Sequence, residues 1–219
     1  MEHVQRGRPT CRYMTSLLAL VMIFFVSEGE SQTTELPEYP LYRIPVRVHV
    51  GASSLTLDAV LTYLREVNLI WGHQAAICFE FEVVRDNRTE GDGFDIFFKP
   101  ELEALPGYEV ISGLHQGDHD IQVRDVPDLY HFPPAIVSKG ARTTAHELGH
   151  ALGLRHDERS DAFLMRSGHQ GIQLQPHEIR VARGRAALKT LPVAARVTCR
   201  PPTFNPQDYI STAVSASQR

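Results

Sequence analysis

Polar and apolar residues alternate from Ile44 onward. Ile44, Val46, Val48 and Val50 are separated by Pro45, Arg47 and His49, and this period of two predicts a strand in a folded region that begins near Leu41. Pro45 has no N–H to give to a ladder, so it marks the start of that strand or an edge position. Thr56 then precedes Leu57, Val60, Leu61, Leu64, Val67 and Trp71, an apolar stripe at helical spacing with Asp58 in the first turn. The stripe predicts a long helix. Alternation returns over Ile77, Phe79, Phe81 and Val83, and again over Phe94, Ile96 and Phe98, with a turn rich in Asp, Asn and Gly at residues 86–93 between them. A third candidate strand, residues 120–124, lies in a loop-rich stretch over residues 100–140, and a helix is expected around residues 143–152. A last helix starts at Pro176, with Glu178 early and Ile179, Ala182 and Ala186 on one face. Gly184 falls in its middle, at a cost of about 1 kcal/mol relative to Ala. No internal repeat is visible. The order of elements predicts an α/β (α+β) class, a mixed twisted sheet with helices packed on it.

Composition adds a core and removes some partners. With 42% hydrophobic residues, ten Phe and seven Tyr, the chain can bury a substantial apolar interior. A net charge of -4, a pI near 6.2 and the absence of a basic run argue against nucleic acid as a partner. The first 29 residues read as a secretory signal, because arginines precede the apolar run at residues 17–26. That run is too short for the roughly 20 residues a bilayer-crossing helix needs. Secretion, with no membrane contact after cleavage, is the expectation; an anchor left in place is the alternative. Residues 30–40 read as a flexible leader and residues 200–219 as a flexible tail. Cys11 departs with the signal, which leaves Cys78 and Cys199 to form one disulfide or to stay as two separate thiols. Asn87-Arg88-Thr89 fits the N-glycosylation acceptor pattern.

The chemistry concentrates in residues 144–157. On a helix, residues four apart share a face, so His146 and His150 can present their imidazoles to one point with Glu147 beside them. Catalytic zinc takes three protein ligands and keeps one position open. His156 is the candidate third ligand, because Gly153 stands midway between it and His150. Glycine enters the left-handed region without Cβ strain, which lets the chain end the helix and turn back.

The pattern His146-Glu147-x-x-His150-x-x-Gly153-x-x-His156, followed by Met165, resembles the metzincin clan of metalloproteases, and its zinc helix is most similar to the matrixin branch. The resemblance implies zinc ligation by His146, His150 and His156, base catalysis by Glu147, and a turn at Met165 that forms an apolar floor under the metal. It also implies a single catalytic domain over residues 41–199, divided into an upper part (41–156) and a small, mostly irregular lower part (157–199) with one helix. The implied activity is that of a secreted zinc-dependent endopeptidase acting on protein or peptide substrates. An extended substrate would pair with an exposed edge strand, for which residues 120–124 are the candidate.

Some features depart from the family pattern. No cysteine-switch segment lies between the signal and the first strand, no Tyr follows Met165 closely, and Asp157 is similar to the His-Asp pair of the adamalysin branch instead. Structural calcium is possible in the family, but no motif supports it here. His115, His119, His131 and His169 are candidates to line the cleft or hold a second metal, against the plain reading of surface histidines. The competing functional reading is a catalytically inactive, zinc-binding secreted interaction domain.

Overall fold

Thr56 caps the first helix as its sequence predicts, accepting from Ala59 N at 3.3 Å and starting α1 at Leu57–Ala75. The computed structural model describes residues 40–86, 93–103, 111–117, 120–125, 138–168, 171–193, 199–200 and 202–204. The expected signal, most of the leader, Cys11, Asn87, His119, His131, His169 and residues 205–219 of the tail lie outside them. The other elements are strands β1 (Tyr42–His49), β2 (Ile77–Val84), β3 (Phe94–Lys99), β4 (Gly113–Gln116), β5 (Asp120–Arg124) and β6 (Thr203–Phe204), and helices α2 (Lys139–Ala151) and α3 (Pro176–Lys189). The α+β class expected from the patterning is the observed one.

The six strands lie in the order β4-β5-β3-β1-β2-β6. Every pairing is parallel except β4 with β5. The apolar residues of α1 (Val60, Leu64, Val67 and Trp71) and of the strands (Ile44, Val46, Phe79, Phe94 and Ile96) are buried in one core. Leu148, Leu164 and Met165 belong to it as well. Cys78 and Cys199 form a disulfide across 121 residues, with Cα atoms 5.2 Å apart. Among the described residues no helix is long and apolar enough to cross a membrane.

Four details differ from the sequence reading. Pro45 is neither first nor on an edge: it is the fourth residue of a central strand, and the ladder to β3 begins one residue later, at Val46. The segment 120–124 is a strand but not the exposed edge, because β4 covers it on the side away from β3. The expected tail contributes Thr203–Phe204, which pairs with β2 next to the disulfide, and Thr203 Oγ1 donates to Phe81 O at 3.3 Å. Finally, α2 begins at Lys139, four residues before the stretch its apolar pattern marks.

Candidate metal centre

Contacts along its whole length position α2. Ser138 caps it, and Glu66 of α1 accepts from both Ser138 N (2.8 Å) and Ser138 Oγ (2.6 Å), so a buried carboxylate meets the positive end of the helix. Trp71 Nε1 donates to Ala145 O at 3.2 Å. Two glycines let the helix settle this closely. A Cβ on Gly140 would stand 2.4 Å from the Tyr63 ring, and one on Gly149 2.5 Å from Met165 Sδ.

The helix ends where the sequence places its glycine. Gly153 has φ +83°, its N–H donates to His150 O, and Leu154 N donates to Gly149 O, so three residues later His156 comes back toward His146 and His150. The Nε2 atoms of His146 and His156 each lie 3.1 Å from Nε2 of His150. His146 is buried, His150 half-buried and His156 exposed.

The second nitrogen on two of these rings fixes which nitrogen faces its neighbours. His146 Nδ1 faces Leu164 O at 2.7 Å and His150 Nδ1 faces Leu154 O at 2.9 Å. A carbonyl can only accept, so each Nδ1 carries the proton. Burial, and next the charge of Arg142, push His146 down to about 3, so at neutral pH its ring is neutral and its Nε2 is a bare lone pair. Burial lowers His150 in the same direction. The lone pairs of His146 and His150 then face each other at 3.1 Å with no proton to share, an arrangement that calls for a cation between them. Tetrahedral zinc with bonds of about 2.0–2.1 Å places its nitrogens about 3.3 Å apart, so the set fits that ion closely. The carbonyls behind the rings are the partners that fix tautomer and orientation in such sites.

Met165 is fully buried beneath α2, and Asp157 N donates to Met165 O at 3.0 Å. Arg142, also on α2, donates to Leu164 O (2.6 Å), Arg166 O (2.5 Å) and Gly171 O (3.2 Å), and so gathers the carbonyls of the turn. Burial lowers its pKa to about 10, which leaves it charged at neutral pH. Glu147 is buried and raised to about 7 by that burial, against the pull of Arg142. Its carboxylate lies against the backbone of Gly113, on the edge strand β4, where a Cβ would come within 2.5 Å of Oε1. His115 is two residues along the same strand and hence on the same face; its charge is felt at His150.

The structure therefore gathers His146, His150 and His156, with Gly153 and Met165 shaping the ground around them. Sequence reasoning missed Gly113, Gly140, Gly149 and Arg142. The spacing of Arg142, four residues before His146, could have flagged it as sharing the helix face. The glycines gave no local sign of what they touch.

No protein-family model matches the chain, and no curated protein does. Among solved structures it is similar to archaemetzincin from Methanopyrus kandleri, at 12% identity and a TM-score of 0.49, over 69% of this chain and 99% of that one. At that distance the likeness carries no argument, and the chemistry is read from the chain's own residues.

Proposed function

We propose that the chain is a secreted zinc-dependent endopeptidase in which Glu147 acts as general base. The observation that carries this reading is the convergence of three imidazole nitrogens beside a buried carboxylate that lies against an edge strand. His146, His150 and His156 would hold the ion, which when bound supplies Lewis acidity to a carbonyl and brings the pKa of water down toward about 7.

The remaining steps belong to the protein. Among the described residues β4 is the outermost strand on its side of the sheet, and pairing of an extended peptide along it would set the scissile bond alongside Gly113 and so next to Glu147. Glu147, raised to about 7 by burial, would meet the attacking water as carboxylate once a cation is held by the neighbouring histidines. Glu147 accepts a proton from that water as its oxygen bonds to the peptide carbon. It then returns the proton to the nitrogen as the C–N bond breaks, so no covalent enzyme intermediate is needed. Export is supported by the N-terminal pattern and by the Cys78–Cys199 disulfide, which suits an oxidising compartment.

Cleavage of casein or gelatin, with and without a chelator, tests the reading when wild type is compared with Glu147→Gln. The amide keeps the shape of the side chain but cannot take the proton, so hydrolysis should fall by about 10² to 10⁴ with zinc retained. If both proteins hold zinc and neither cleaves any substrate, the interaction-domain reading replaces this one.

A further inference from the structure

A second group of ligand-bearing side chains lies outside the three histidines. Asp157 directly follows His156, and His177 and Glu178 are the second and third residues of α3. One ligand atom from each lies within 4.8 Å of the other two. We propose that Asp157, His177 and Glu178 form a second divalent-cation site that takes a first-row transition ion such as zinc. The proposal goes beyond the peptidase reading and does not depend on it.

Glu178 carries the argument. It is 3% exposed, and its two oxygens differ: Oε2 accepts from Gln175 N at 2.7 Å, whereas Oε1 is buried with no hydrogen-bond partner. A buried carboxylate oxygen without a partner costs free energy, and here a second buried carboxylate, that of Asp157, stands close by. Both costs are relieved by one positive charge placed among the three groups. Arg159 supplies part of it, because its guanidinium grips both oxygens of Asp157, with Nε to Oδ1 at 2.8 Å. Glu178 Oε1 remains without a partner, and with its side chain 68% exposed Arg159 can swing into solvent when an ion arrives.

The donor set selects the ion. Calcium and magnesium favour oxygen ligands alone, whereas one imidazole with two carboxylates suits zinc, manganese or iron. The place of the site suggests a consequence. Asp157 adjoins the third histidine, and Glu178 belongs to the first turn of α3, so a shared ion ties the His156 segment to that helix.

Equilibrium dialysis of the full chain against micromolar Zn2+, followed by elemental analysis, tests the site. Wild type should bind two zinc ions, and His177→Ala and Glu178→Gln one each; His177 is exposed, so its loss leaves the fold intact. His150→Ala should lose the other ion and keep this one. Arg159→Ala should keep both and hold the second roughly two- to fivefold more tightly, since a competing surface ion pair is gone. A single zinc in wild type that depends on His150 alone would overturn the second site while leaving the histidine centre intact. Two zinc ions that persist in both His177→Ala and Glu178→Gln would overturn it as well.

Discussion

The backbone of Gly113 touches the carboxylate of Glu147: a methyl group on Gly113 would stand 2.5 Å from Oε1, 2.7 Å from Cγ and 2.8 Å from Cδ. No side chain fits between β4 and the Glu147 carboxylate. Gly113→Ala should therefore displace Glu147 without touching a histidine. Zinc content should stay at the wild-type level, while kcat/KM on a peptide substrate should fall by about 10², the scale of loss when a reacting group moves by an ångström. Full activity in this variant would mean that the carboxylate works from some other position.

Gly153→Val tests the turn that returns His156 to the cluster. Space is not the obstacle, since the nearest atoms to a Cβ there belong to the flexible Arg185 side chain at 3.5 Å. The backbone is: at φ +83° a β-branched residue is strained by about 1–3 kcal/mol. Metal retained after dialysis and Tm should both drop, although no ligand has been removed. Unchanged values would show that the chain can make this turn another way.

Stability of the zinc-free protein should depend on pH through Glu147 in an unusual direction. Its carboxyl is raised from 4.5 to about 7 by burial, so between those values the folded chain holds a proton that the unfolded chain has released. Stability from this group is full below about pH 4.5 and is lost as pH rises toward 7, by at most on the order of 3 kcal/mol. His146 acts oppositely: lowered from 6.5 to about 3, it adds stability as pH climbs through that window. Comparison with Glu147→Gln cancels the histidine. Urea denaturation of both chelated proteins at pH 5 and pH 8 should show wild type losing ground to the variant at the higher pH. A constant difference would mean that the carboxyl is solvated.

Removal of the disulfide by Cys199→Ser should cost up to about 4–5 kcal/mol, the chain-entropy value for a loop on the order of a hundred residues, less any strain relieved. Denaturant midpoints report the loss, and mass spectrometry without reductant should find Cys78 and Cys199 linked in the parent chain.

Local signals were legible and long-range ones were not. Thr56, Asp58 and the stripe from Leu57 to Trp71 define α1 within its own segment, and the histidine spacing with Gly153 defines the three-histidine cluster in the same way. By contrast β4 is four residues long and has a single large apolar side chain, Leu114, so neither alternation nor burial announces it. Missing it made residues 120–124 look like an edge, because a strand's own residues say little about what lies beside it. Thr203–Phe204 is too short for any period and sits by β2 a few residues after Cys199, a bond to the far end of the chain. Gly140 and Gly149 show their purpose only against Tyr63 and Met165.

The carbonyl of Leu164 has two donors, His146 Nδ1 at 2.7 Å and Arg142 Nη2 at 2.6 Å. The same guanidinium holds Arg166 O and Gly171 O. The floor beneath the three histidines therefore cannot peel away without also freeing the His146 ring. Loosening of the turn at Leu164 and Arg166 and release of the His146 ring become one cooperative opening.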